Sequence, residues 1–557
     1  MNEKKLFAGI GSIIFVCLIS QLNSVLLVAE SAETWLPKSD PPADTIKVVA
    51  FQDLESAEQL ALISLQGLAA REQPSIWLLV NEHDGKWLEV HKNEGHIKDT
   101  KIVTDWENLF QEYSWAYKGA VVPDEKLSHG FLHAVNMASC EDLVIASESL
   151  AEKLEIPVKV DLRGRFETNA EGYEWIWKNY KDTLGDHAAC ILYPGLASNG
   201  ALAYDIQWRN FVFWISGNNP DELSRKGADH EKELETISSI MKELPPNMPV
   251  RGFPYAPGHL GLTENTGIAW LSRLAKAHIP SDHLANISVM SGITIESLSQ
   301  AEHVSPPELR TDKIYIALTL TDGDNLNTWI DWFYKDFEHE LHGEVPVGWG
   351  IGPAVLDLIP VVAEWYYHRA IPGKDEFICD VSGIGYIYPE MYAELYPHSR
   401  EDIFDEYLEL TERYMNRMDL GHLRTYFDTP DFNPDGYINK FFQAIPSLQA
   451  VWDGYCRRNT KYNAPYEKQT YSVEGNPVFS AAMKAAWIYG DSVDDFYRDV
   501  NEVVGDTRPA FINGALINWS FRMDKIMELY NHRSEDMVFV TPSQLTELYL
   551  KCTENMK

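Results

Sequence analysis

Four short acidic stretches in the second half of the chain place carboxyl groups where they could work on one substrate. They are Asp322-Gly323-Asp324-Asn325, Asp380 just ahead of a tyrosine-rich turn, Phe427-Asp428-Thr429-Pro430-Asp431, and Trp452-Asp453-Gly454-Tyr455. Each follows an apolar run, so each stands where a strand is expected to end. Cleavage of a glycosidic bond ordinarily needs two carboxyl groups, one protonating the leaving oxygen and the other activating water or attacking the anomeric carbon. Asp324, Asp428 and Asp453 are the catalytic candidates. Gly323 allows close backbone approach beside Asp324, and Asn325 adds a neutral amide suited to a sugar hydroxyl. Asp428 and Asp453 have aromatic neighbours, a setting that raises a carboxyl pKa toward general-acid use. Asp322, Asn325, Trp349, Tyr386, Tyr388 and Trp452 complete the set as substrate-binding candidates, the aromatic ones as stacking surfaces. The plain alternative is that an Asp after a strand opens a turn or caps the next helix, which applies with most force to Asp322 and Asp431. For Trp349 and Trp452, inside apolar strands, core packing is the default.

The tyrosine-rich turn is Gly383-Ile384-Gly385-Tyr386-Ile387-Tyr388-Pro389. Two glycines one residue apart permit a tight path with positive φ, and tyrosines at i and i+2 share one side if the segment is extended. Filling core is the alternative role for those rings. The heptad resembles the signature of the GxGYxYP family, described as putative glycoside hydrolases and associated with bacterial polysaccharide-processing systems. Val158 to Phe166, Phe211 to Trp214, and Leu318 to Asn325 are similar to the same family, so the resemblance covers most of the chain. It implies a carbohydrate substrate and assigns no catalytic residue.

Other chemistries are less well supplied. Asp322 and Asp324 after a first strand resemble metal-dependent polysaccharide deacetylases, but His339-Glu340-Leu341-His342 departs from the paired-histidine spacing of those enzymes. The calcium-loop pattern fails at Leu326 and Asn327. No G-x-S-x-G, G-x-G-x-x-G or G-x-x-x-x-G-K-[ST] occurs, so neither a serine nucleophile elbow nor a phosphate cradle is present. No metal and no cofactor is expected.

The elements that must position these residues fall in two groups. Ile46–Phe51, Ser56–Arg71 and Ile76–Val80 read as strand, helix, strand, and the rhythm continues through Gly119–Val122, Leu143–Ala146, Cys190–Tyr193 and Phe211–Trp214. That alternation predicts an N-terminal α/β region over 40–305, in one or two subdomains, with parallel strands. Asp161-Leu162-Arg163-Gly164-Arg165 is read as a structural salt-bridge corner. His303, Ser305, Pro306 and Pro307 interrupt the pattern. Beyond them, strands are predicted at Ile314–Leu320, Val347–Ile351, Phe377–Val381, Leu423–Phe427, Ala450–Trp452, Val478–Ala482, Ala510–Ile517 and Val538–Val540, with helices at Glu401–Met418 and Asp524–Asn531. Eight strands over 311–557 predict a C-terminal (β/α)8-like barrel, and a distorted or seven-stranded ring fits the same count. In such a fold the residues after the strands share one face, where the chemistry sits.

Composition narrows the partners. The chain has 557 residues, 17 Trp, 27 Tyr and a net charge of −36, and lacks a basic block. Nucleic acid and anionic membrane surfaces are therefore disfavoured, because phosphate binding needs clustered Lys and Arg. Lys4 and Lys5 precede the apolar run Leu6 to Ser20, and Ala29-Glu30-Ser31 fits a small-x-small cleavage site. Residues 1–31 are thus expected to be a signal peptide, with a secreted or periplasmic product. An uncleaved anchor, and so a membrane, is the alternative. Val16 before Cys17 does not suit lipoprotein processing. Cys140, Cys190, Cys379, Cys456 and Cys552 remain, an odd number without C-x-x-C spacing. The sequons at Asn286 and Asn518 lie in apolar surroundings and read as chance matches. The leading expectation is an exported glycoside hydrolase acting through paired carboxylates. The alternatives are a non-catalytic glycan-binding protein on a degenerate barrel and a metal-dependent carbohydrate deacetylase.

Overall fold

β-branched runs alternating with helical periods in the first half of the chain form three small parallel sheets. The computed structural model describes residues 34–321, 325–429, 432–455, 469–484, 492–518 and 520–555. The expected signal peptide, Asp322, Asp324, Asp431 and Cys456 lie outside them. The first sheet has Thr45–Ala50 between Ile76–Leu79 and Asp99–Val103, and the second has Gly119–Val122 between Leu143–Ile145 and Val158–Asp161. The third has four strands in the order Ala277–Pro280, Pro249–Gly252, Ala189–Ile191, Phe211–Phe213. One continuous apolar core, running from Val49 to Leu274, joins all three sheets. Helix Ser56–Ala69 is buried without interruption from Leu60 to Ala69, as suits a segment that is apolar on every face.

A central strand of the third sheet escapes the usual sequence signals. Pro249-Val250-Arg251-Gly252 is central and wholly buried although it carries a proline, a glycine and a charge. The Arg251 guanidinium is tolerated there because it pairs with the buried Asp205 carboxylate and donates to the Ala201 carbonyl at 3.0 Å. The sequon residue Asn286 is likewise buried: its side chain accepts from Leu78 N at 2.8 Å and donates to Leu78 O at 2.9 Å, satisfying the free edge of strand Ile76–Leu79. At the Asp161 corner, Arg163 pairs with Asp161 and Glu148 in an exposed cluster.

Residues 294 to 312 form an irregular connector, in which the Gln300 side chain pairs with both backbone groups of Phe377 at 2.7 and 2.9 Å. The second half then builds a nearly closed barrel of eight strands: β1 (Ile314–Thr321), β2 (Val347–Ile351), β3 (Asp375–Cys379), β4 (His422–Thr425), β5 (Ala450–Asp453), β6 (Asn476–Ser480), β7 (Ala510–Ile517) and β8 (Met537–Phe539). Neighbours from β1 to β6 pair parallel in chain order. The ring closes through a bridge between Ala481, after β6, and Asn513 of β7. β7 pairs with β1 along its whole length, so β8 does not separate them. It takes the start of the opposite edge of β1, at Ile314–Ile316, ahead of β2 at Leu318–Leu320. Strand Thr470–Val473 adds an antiparallel hairpin to β6.

Three helices matter for the site: α1 (Glu264–Arg273) from the N-terminal half, α2 (Asn325–Asp331) after β1, and α3 (Arg400–Arg417) after β3. Among the described residues no helix is long and apolar enough to cross a membrane. Cys140, Cys190, Cys379 and Cys552 are free thiols.

Candidate active site at the barrel mouth

One layer of the barrel interior is polar. Arg424 on β4 donates to Thr319 Oγ1 on β1 and to the Gly454 carbonyl after β5 at 2.9 Å. Thr319 in turn donates to Asn513 Oδ1 on β7 at 3.0 Å, and Asn513 Nδ2 donates to the Phe479 carbonyl on β6 at 3.0 Å. Side chains from strands on opposite sides of a ring meet only if they point inward. Above Arg424 lies Asp380, the residue after β3, whose Oδ1 is 3.8 Å from Arg424 Nε and accepts from the Tyr455 hydroxyl at 3.5 Å. Both side chains are completely buried. At that separation attraction does not offset the loss of water, so burial pushes the Asp380 carboxyl up to about 7 and the Arg424 guanidinium down.

The heptad lies across this mouth, though not as a surface loop. Gly383 has φ +121°, and a Cβ there would fall 2.6 Å from Thr411 Oγ1 and 2.9 Å from the Tyr407 hydroxyl, so glycine is required. The Tyr407 hydroxyl on α3 donates to the Gly385 carbonyl at 2.8 Å. Tyr386 pairs with His278 of the third N-terminal sheet through two backbone hydrogen bonds of 2.8 and 3.1 Å. Ser272 Oγ of α1 accepts from Tyr388 N at 3.0 Å. The heptad is therefore a seam that joins the barrel to the N-terminal sheets.

Its rings are covered accordingly. Tyr386 is 4% and Tyr388 0% exposed, packed with Tyr455, Val381 and Ile517 from the barrel and Ile268 and Ala269 from α1. Ring contacts of 5.9, 5.5 and 5.5 Å run from Tyr386 through Tyr388 and Tyr426 to Tyr455. At the outer end of this chain the Tyr386 hydroxyl donates to Glu264 Oε1 at 3.1 Å. Glu264 is the first residue of α1, whose N-cap Thr263 accepts from Thr266 N. Its neighbour Asn265 donates to Asp428 Oδ1 at 3.3 Å. Burial raises the pKa of both the Glu264 and Asp428 carboxyls. Glu390, which follows the heptad proline, accepts from the backbone of Asp428 at 2.8 Å and of Thr429 at 2.9 Å, and so holds Asp428 in place.

The structure brings together Asn325, Asp428, Asp453, Tyr386 and Tyr388 at the ends of the strands. Asn325 Nδ2 donates to the Asp380 carbonyl at 3.0 Å and its Oδ1 accepts from Gly352 N, tying three strand ends together. Asp453 is buried at the end of β5, where Ser480 Oγ donates to its Oδ2 at 3.2 Å. Trp349 and Trp452 stand apart in the strands, both 0% exposed. Trp349 donates to Asp375 Oδ1 at 2.9 Å and packs on Phe333 and Phe337, while Trp452 packs on Phe479 and His422. Neither indole presents a face to solvent. Asp322 and Asp324 fall outside the described residues. His342 Nε2 lies 3.0 Å from Asp375 at the start of β3, the opposite end from the one a deacetylase centre would need, and His339 lies 3.7 Å from Asp524. Among the described residues no group of three or more His, Cys, Asp or Glu is arranged to hold a metal ion.

Sequence reasoning missed Glu264, Asn265, Glu390 and Arg424. Only Arg424 carried a signal, a charge inside the short buried strand His422-Leu423-Arg424-Thr425. Several buried polar atoms at the mouth have no hydrogen-bond partner among the described residues: Asp380 Oδ2, Thr425 Oγ1 and both amide atoms of Asn518 after β7.

Four family models match the chain in succession. They are "GxGYxYP_N 1st domain" over residues 45–114, "GxGYxYP_N second domain" over 117–184, "GxGYxYP third domain" over 187–292 and "GxGYxYP putative glycoside hydrolase C-terminal domain" over 312–550. A solved structure described as "a putative hydrolase from Bacteroides thetaiotaomicron VPI-5482" superposes with a TM-score of 0.77 at 20% identity, over 94% of this chain and 98% of that one, which shows a shared fold. No curated protein matches. With the motif intact at the mouth and matches running almost end to end, the chain belongs to the GxGYxYP family.

Proposed function

We propose that the protein is an exported glycoside hydrolase that cleaves a poly- or oligosaccharide at the mouth of a distorted (β/α)8 barrel. The observation that carries this reading is the pair of carboxyls Glu264 and Asp428. They come from different halves of the chain, flank the Tyr386–Tyr388 pair, and are both pushed up by burial. A carboxyl that keeps its proton into the working pH range is suited to protonate a leaving glycosidic oxygen, and a second one serves as base or nucleophile. Asp428 is assigned the acid role, since among the described residues a single hydrogen bond, from Asn265, engages its oxygens. Glu264, Asp453 and Asp324 are the candidates for its partner. Asp322 and the Tyr386 hydroxyl are assigned to sugar hydroxyls, and Asn325, whose buried amide ties strand ends together, is left out. Trp349 and Trp452 are left out of the binding set.

The test is to incubate the protein with starch, xylan, mannan, galactan and pectin, and with their oligosaccharides, alongside Asp428→Asn, Glu264→Gln, Asp453→Asn and Asp324→Asn. Asp428→Asn is expected to lower kcat/KM by about 10²–10⁴-fold. The native rate should decline as pH rises through the raised carboxyl pKa, because the acid must be protonated. Sugar release indifferent to all four changes would sink the site assignment. Glycan retention without turnover by any form would favour the binding-protein alternative. N-terminal sequencing of the exported product should begin near Ser31.

A further inference from the structure

Beside the mouth, a cavity of about 280 Å³ opens between the N-terminal half and the barrel. It shares two elements with the site. α2 begins with Asn325 at the mouth and reaches the cavity with Asp331, while strand Ala277–Pro280 carries the Tyr386 partner His278 and leads to Asp282 on the cavity wall. Three aromatic side chains, Phe253, Tyr255 and Trp332, line it together with the carboxyls of Asp282 and Asp331. These groups are held in place. Asn327 Nδ2 donates to Asp282 Oδ1 at 2.7 Å. Asp331 meets His83 Nδ1 at 3.4 Å and Lys335 Nζ at 3.0 Å, which hold its carboxyl down to about 2 and therefore ionised. The guanidinium of Arg522, itself bound to Asp336, lies 5.5 Å from the Trp332 ring centroid and fixes the indole.

The His83 ring is 4% exposed and backs this wall through its contact with Asp331.

Apolar ring faces combined with fixed acceptors suit a ligand whose edges carry hydroxyls and whose faces carry C–H groups. The cavity has room for a sugar ring, and two carboxyls on the wall oppose an anionic ligand. We propose that this cavity is a carbohydrate subsite that holds one uncharged pyranose unit. The inference rests on the reading of the mouth as a carbohydrate site and extends it to a unit held away from the scissile bond.

The test is saturation-transfer NMR on the full chain with D-glucose, D-galactose, D-mannose and N-acetyl-D-glucosamine, and with D-galacturonate as the charged counterpart. At least one neutral sugar should show transfer, and galacturonate none. Tyr255→Ala and Trp332→Ala should each weaken that binding about tenfold, and Asp428→Asn should leave it unchanged. Tyr255 sits half-exposed on a two-residue hairpin strand, so its truncation spares the core and removes misfolding as an explanation. Absence of binding by every neutral sugar, or binding indifferent to both aromatic variants, overturns the proposal. Turnover of the glycan panel without neutral-sugar binding here removes the subsite and leaves the mouth reading standing. Binding here without turnover does the reverse.

Discussion

The buried pair Asp380 and Arg424 is the least compensated charge arrangement at the mouth. Raising a carboxyl from its ordinary 3.8 to about 7 means that the folded state holds the proton more tightly than the unfolded chain does. The associated stability is fully present below about pH 4 and is lost as pH climbs through about 7, by at most roughly 4 kcal/mol. Asp380→Asn removes this dependence. Its stability relative to the native chain should therefore rise steadily between pH 4 and pH 7 in urea titrations, and a difference that stays flat across that window would show that Asp380 does not titrate there. Glu390 acts on a different footing. It touches the backbone of Asp428 rather than any reacting atom, and is best described as a positioning residue.

At the scale of elements, the heptad is the part of the chain where sequence and structure meet most closely. Its glycines indicated a tight backbone path, and Gly383 shows why: positive φ and the contact with Thr411 and Tyr407 leave no room for a Cβ. Gly383→Ala is expected to destabilise the protein by roughly 1–3 kcal/mol and to lower the thermal midpoint. An unchanged midpoint would mean that α3 yields at no cost. What the heptad residues did not reveal is their partner. Tyr386 and Tyr388 were legible as a pair on one side of an extended segment, but they are covered by α1 and joined to strand Ala277–Pro280. Likewise β2 and β7 match their apolar runs residue for residue, whereas Asp99–Val103 and Pro249–Gly252 were hidden. The first is a polar edge strand, and the second is held by the Arg251–Asp205 pair that only the fold brings together.

At the scale of the molecule, the two halves of the chain share the candidate site. Glu264, Asn265 and His278 come from the N-terminal half, while Asp428, Tyr386 and Asp380 come from the barrel. A fragment of residues 311–557 would lose Glu264 and bare the apolar face formed by Val381, Tyr386 and Tyr388. Such a fragment should aggregate or, if soluble, turn over no glycan that the full chain cleaves. An active soluble fragment would show that α1 is dispensable. The sequence by itself determined the period of the strands, the acidic strand ends, the family motif and the acidic surface charge, because these depend on residue type and near-neighbour spacing. Tertiary structure alone decided that β7 pairs directly with β1, that the tyrosines are covered, and that α1 brings Glu264 to Tyr386 and Asn265 to Asp428. Contacts between residues far apart in the chain leave no periodic trace, and the burial that shifts a carboxyl's pKa exists only once those contacts have formed.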